Sequence, residues 1–155
     1  MLHFSVIEAI EMRRMSITIR TYNELISLPT YEERFDYCDL HGLVGDETFG
    51  YDRWINQNFY QSDEWRKFRR EIILRDNGCE FALPGFEILK YGTIHHLNPI
   101  TKADIVNRRP CVFDPNNVIF VGSDTHKFIH YGHGAAPNRL PIERRPNDTC
   151  PWRCG

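Results

Sequence analysis

At 155 residues, with 41% hydrophobic and 26% charged side chains, the chain has the size and composition of one soluble globular domain. No apolar run approaches the roughly 18 residues of a membrane span, and the acidic start without a basic n-region is not that of a secretory signal, so a cytoplasmic protein is expected. The formal net charge of −2 excludes a uniformly basic protein, but residues 1–61 carry five basic and ten acidic side chains whereas residues 62–155 carry fourteen basic and eleven acidic, −5 against +3, which makes the later part the one suited to phosphate.

Residues 1–20 read as an N-terminal extension with a helical turn or two in V-I-E-A-I-E-M-R-R-M, and residues 21–61 as a flanking segment of helix and loop. Thr30 and Glu33 have the spacing of a capping box, which predicts a helix over 31–40 ended by Gly42. The acidic stretch 32–52 is a solvated face. Gly42, Gly45 and Gly50 break the chain there into loop. A short packed helix is expected over 52–60, with Trp54, Phe59 and Tyr60 in the core rather than offered to nucleobases.

Ser62, with Asp63 and Glu64 after it, opens a strong helix. Trp65, Phe68, Ile72 and Ile73 recur at helical spacing on its core face, and Asn77-Gly78 ends it. Arg66, Lys67, Arg69, Arg70 and Arg75 fall largely on the other faces. A short strand over 86–89 comes next.

Four of the seven histidines then lie in one stretch: His95, His96, His126 and His130. Thr93 and Ile94 favour extended backbone, so the first pair sits on a strand, where neighbours point to opposite faces. His95 and His96 serve one site only if the strand ends or twists there, and Asn98-Pro99 is such an ending. Residues 118–121 are a β-branched run, a second strand with Asn117 at its entrance. Ser123 is placed as a helix N-cap with Asp124 in the first turn, and Gly132 as the stop. His126 and His130, four apart, share a helix face. Between the strands, residues 101–115 form a long insert with a helical turn over 102–107. It is either a solvated connector or a substrate-facing loop whose Lys102, Arg108 and Arg109 meet phosphate.

Imidazole is the commonest nitrogen ligand for divalent metals. Two histidines one helical turn apart and a third from a strand make a three-ligand site with open positions, the layout of catalytic rather than structural metal. A fourth histidine beside it suits a general base. The five cysteines, Cys38, Cys79, Cys111, Cys150 and Cys154, are odd in number and form no pair of C-x-x-C motifs. They read as free thiols of a reducing compartment, with Cys150 and Cys154 at most half of a zinc site.

This arrangement resembles the HNH, or ββα-metal, endonucleases, over residues 65–131. The resemblance implies an α+β fold with a ββα-metal core over 62–133, flanked by N-terminal helices and by an irregular basic tail over 134–155. It also implies a metal-dependent phosphodiester hydrolase acting on nucleic acid, most readily double-stranded DNA, leaving 5′-phosphate and 3′-hydroxyl ends. His95 and His126 would be metal ligands, His130 a ligand or a phosphate contact, and His96 the general base. Asn117 would orient His96 or fix its loop. Arg70 or Arg75 would reach a phosphate from the preceding helix; the alternative is intrahelical pairing, for example of Arg66 or Arg70 with an acid three or four residues away. The cofactor would be one divalent cation, Mg²⁺ or Mn²⁺ in use, with Ni²⁺ or Zn²⁺ admitted by the ligands. The same likeness implies a bacteriophage origin, a host-cytoplasm location, and a homodimer or phage packaging protein as partner. The competing expectation is a non-catalytic DNA-binding or phage morphogenesis protein that keeps the scaffold.

Overall fold

A computed structural model of the chain describes residues 19–39, 54–132 and 136–143. The expected turns within 1–18, the loop glycines and the end of the basic tail lie outside those residues. Among the described residues no helix is long and apolar enough to cross a membrane.

Among the described residues two short helices come first, α1 (Tyr22–Ser27) and α2 (Tyr31–Cys38). The Thr30 hydroxyl accepts from Glu33 N while the Glu33 carboxylate accepts from Thr30 N, so the capping box forms. The helix stops at Cys38 rather than at residue 40. Asp39 is already extended, and the Tyr37 and Asp39 carbonyls accept from the Arg20 guanidinium instead of continuing helically. The expected helix over 52–60 is a single π-turn, Ile55–Phe59. Phe59 joins the core, but Trp54 is 47% exposed, a departure from the core position expected of it.

Helix α3 (Asp63–Arg75) starts where Ser62 Oγ accepts from Trp65 N and buries Trp65, Phe68 and Ile72. It ends where Asn77 and Gly78 turn left-handed, at φ of 54° and 64°. The expected strand over 86–89 reduces to one bridge, Cys79 to Glu87, because the chain doubles back through a 3-10 turn at Glu80–Ala82 and a positive-φ Gly85.

Among the described residues the sheet has two strands. β1 (Gly92–His96) runs antiparallel to β2 (Val118–Gly122), with His95 opposite Ile119 and Ile94 opposite Phe120. The connection carries α4 (Lys102–Val106), where Thr101 and Asp104 form a second capping box, so Asp104 is a helix cap. Two 3-10 turns, Pro110–Val112 and Pro115–Asn117, complete it. Helix α5 (Ser123–Tyr131) comes directly after β2. Its N-cap is Gly122, so Ser123 lies inside the helix rather than capping it.

Alternation along the strands splits the interior in two. Ile94, Val118 and Phe120 join Trp65, Phe68, Ile72, Ile105 and Val112 on one side of the sheet. Leu97, Ile119 and Val121 join Leu25, Tyr31, Phe35, Phe81 and Ile129 on the other. The fold is thus α+β, with helices on both faces of a small antiparallel pair.

A two-stranded sheet leaves two edges, and β2's outer edge is closed by side chains. Asp76 Oδ2 accepts from Phe120 N at 2.9 Å and Glu80 Oε1 from Gly122 N at 2.8 Å. Arg75 Nη2 donates to Val118 O at 2.9 Å while its Nε donates to Asp76 Oδ1 at 2.7 Å. Glu80, itself fully buried, also meets Tyr31 and an ion pair from Arg139. That pair, with Ile142 N donating to Gly85 O, ties the extended segment 136–143 back onto the body.

Candidate metal centre

β1 presents His95 toward α5 and His96 toward α3, the division that strand alternation requires. His95 is 1% exposed. Helix α5 anchors itself through buried Thr125 and Ile129, which swings His126 and His130 along the flank nearest β1. The three imidazoles converge. Ring centroids lie 5.4 Å apart for His95 and His126, 5.2 Å for His95 and His130, and 4.3 Å for His126 and His130. One ring nitrogen from each lies within 4.8 Å of the other two.

Two features fit this set to a cation. His95 Nε2 is buried and has no hydrogen-bond partner, a costly state for a polar atom unless something else is meant to meet it. The Nε2 atoms of His126 and His130 are 3.0 Å apart. Two nitrogens each bound at about 2.1 Å to one ion, at roughly a right angle, would have that separation. Burial depresses the basicity of all three. His95 falls well below the ordinary imidazole value through desolvation and then through His126 and His130. His126 is pushed down to about 4 by desolvation and then by His130 and His96. His130 is lowered by desolvation alone. The rings are therefore neutral at neutral pH, the form that donates a lone pair. No carboxylate joins them among the described residues, so the set is purely imidazole.

The chain matches no family model, no curated protein and no solved structure. The reading of the site therefore rests on its own geometry.

His96 occupies the end of β1 on the opposite face, stacked at 23° and 6.1 Å on the Trp65 ring. Its Nε2 is 3.0 Å from Val112 O. A carbonyl only accepts, so Nε2 carries the hydrogen and Nδ1 keeps the lone pair. Burial lowers its pKa, partly offset by the Val112 contact. His96 is not one of the three clustered imidazoles, because alternation along β1 turns it to the other face.

Asn117 does not touch His96. Its Oδ1 accepts from Asn98 N and Asn98 Nδ2, and its Nδ2 donates to Cys111 O at 2.9 Å. Of the two roles expected for it, this geometry is that of a loop clamp. The basic candidates divide as well. Arg70 is exposed on α3 with no ion pair among the described residues. Arg75 turns inward to Asp76, Pro115 O and Val118 O and lies 3.6 Å from the Tyr22 ring centroid, so its guanidinium is committed to the fold. Lys102 is exposed at the start of α4. Arg108 pairs with Glu64, and Arg109 with Asp104 at 3.2 Å. Within α3 the intrahelical pair is Lys67 with Glu71, at 4.0 Å, rather than one made by Arg66 or Arg70.

Sequence reasoning missed Asn98, Arg20 and the Val112 carbonyl. Asn98-Pro99 stood out only as a strand ending, and nothing local in the sequence announces that the amide reaches Arg20, 78 residues away.

Proposed function

We propose that the protein is a metal-dependent phosphodiester hydrolase acting on nucleic acid, of the ββα-metal kind, with His95, His126 and His130 as ligands and His96 as general base. The observation that carries this reading is the convergence of three neutral imidazoles, one with an orphaned buried nitrogen; His96, next to His95 at the end of β1 but on the other face, has its tautomer fixed by a carbonyl. A divalent cation bound there would supply positive charge to a phosphate oxygen and to the leaving oxygen.

The remaining work falls to the chain. His96 Nδ1 holds the free lone pair and takes the proton of the attacking water. The imidazolium that forms keeps its Nε2–H on Val112 O, and the Trp65 face beside it favours the added charge. Arg70 and Lys102, both exposed, are the basic side chains proposed to meet the nucleic-acid backbone. DNA is the proposed substrate, and Mg²⁺ or Mn²⁺ the proposed working ion.

The test is conversion of supercoiled plasmid to nicked or linear DNA by wild type and His96→Ala, with Mg²⁺, Mn²⁺, Ni²⁺ or Zn²⁺ and with EDTA. Cleavage by wild type alone, abolished by EDTA, is expected. No cleavage with any of these metals, or equal cleavage by the variant, would defeat the proposal and favour the non-catalytic scaffold.

A further inference from the structure

We infer that Asn98 is a positioning residue that holds His96 in its Nε2–H tautomer through a relay of amides. The functional meaning of this relay rests on the hydrolase reading, although the relay itself is a matter of geometry.

The side chain of Asn98 imitates a strand backbone. Its Oδ1 accepts from Arg20 N at 2.9 Å and its Nδ2 donates to Arg20 O at 2.8 Å. A tie for the N-terminal segment would need nothing more. Asn98 nevertheless makes two further bonds, both to one atom. Its Nδ2 donates to Asn117 Oδ1 at 2.6 Å, and its backbone N donates to the same oxygen at 3.1 Å.

Two donors on Asn117 Oδ1 decide which way that amide faces. With the oxygen turned to Asn98, the NH₂ end must face Cys111 O, where it donates at 2.9 Å. A flipped Asn117 would set its own oxygen against the Cys111 carbonyl, two acceptors with no proton between them. The next residue along is Val112, whose carbonyl receives His96 Nε2–H. The turn that carries it is short and otherwise secured by Val112 N on Arg109 O and Phe113 N on Pro110 O. A displaced Cys111 carbonyl therefore displaces the neighbouring Val112 carbonyl. The consequence at His96 is loss of the acceptor that distinguishes its two nitrogens. Asn117 is 6% exposed, so water has little room to substitute in the relay.

The experiment uses the full chain and the variants Asn98→Ala and Asn98→Asp. Aspartate preserves size and the acceptor facing Arg20 N, but its side chain donates to neither Arg20 O nor Asn117 Oδ1; it sets a carboxylate oxygen against Asn117 Oδ1, which keeps only the backbone N–H of residue 98. Long-range proton–nitrogen NMR spectra of the histidine rings, taken with the imidazoles neutral, report the tautomer of His96. Wild type should show protonated Nε2, and both variants a mixture. Calorimetric Mn²⁺ affinity should stay within about threefold. In the plasmid assay kcat should fall about 10–100-fold with KM within about twofold, the range for residues that orient a reacting or ligating group from behind.

An unchanged His96 pattern in a folded Asn98→Asp protein would overturn the relay. So would a loss of Mn²⁺ affinity matching the loss of kcat. Unfolding of both variants would reduce Asn98 to a structural tie and overturn it equally. A wild type that fails to cleave, with His96 still responding to the variants, would sink the hydrolase reading and leave the relay standing.

Discussion

His126 and His130 sit in different surroundings from His96, although all three are imidazoles lowered by burial. The first two turn their Nε2 atoms toward one another and toward the buried His95. The third is bound through Nε2 to Val112 O, and its Nδ1, the proposed proton acceptor, makes no hydrogen bond among the described residues. Substitution should separate the roles. His126→Ala removes one of three nitrogens and should weaken Mn²⁺ binding by about 100-fold or more, beyond the effect of losing a supporting partner. Calorimetry showing unchanged affinity would strike it from the ligand set. His96→Ala should leave Mn²⁺ affinity within about threefold and abolish cleavage. A matching loss of metal binding would mean that His95 and His96 have exchanged roles.

At the scale of elements, the strand that aligns His95 depends on a helix end. Arg75 and Asp76 close the outer edge of β2 at Val118 and Phe120, and Glu80 does so at Gly122. Asp76 is fully buried. Replacing it by alanine leaves Phe120 N–H without its acceptor and Arg75 without its carboxylate. Asp76→Ala should cost about 3 kcal/mol, the scale for breaking a buried pair from one side, measured by urea denaturation of the metal-free protein. A loss below about 1 kcal/mol would mean that solvent replaces these bonds and that the edge is open. Helix α5 ends at Gly132, whose extended backbone would bring a Cβ within 2.4 Å of Phe128 O, so the chain leaves the helix there at a residue without one. Termination there places His130 in the last turn of the helix.

For the whole molecule, one buried histidine, His95, and three part-buried ones, His96, His126 and His130, make stability depend on pH. Each has a folded pKa below its unfolded value near 6.5. Below that value the unfolded chain takes up protons that the folded chain refuses, so stability is greatest above about pH 6.5 and falls as the solution is acidified. His126 alone, lowered to about 4, accounts for about 2 kcal/mol by pH 5. The metal-free protein should therefore show a falling melting temperature from pH 7 to pH 5. A saturating divalent ion should raise the curve most at the neutral end. A flat melting temperature over that range would mean that these rings are not desolvated in the folded chain. The segment 136–143 contributes at this scale too, since Arg139 answers the buried Glu80 charge. Arg139→Ala should lower stability by about 1–3 kcal/mol, readable by the same denaturation, and an unchanged midpoint would show that the segment is not docked.

Local signals sufficed for much of this protein. The Thr30–Glu33 capping box, the start of α3 at Ser62, its end at Asn77-Gly78 and the β-branched run of β2 are governed by neighbours within a few residues, and all appear where their chemistry puts them. The i,i+4 spacing of His126 and His130 was enough to place both on one flank of a helix, and strand alternation was enough to part His95 from His96. Local chemistry failed where a distant partner decides. Segment 86–89 has strand propensity but only a single bridge to pair with. Arg75 looks like a free cation on a helix until β2 and Tyr22 are placed beside it. Which nitrogen of His96 bears the proton depends on Val112 O, 16 residues away, and the link between Asn98 and Arg20 spans 78. Spacing along a chain determines what one element can present. Only closure of the tertiary structure determines what each side chain meets, because hydrogen bonds and burial are set by distance in space rather than distance in sequence.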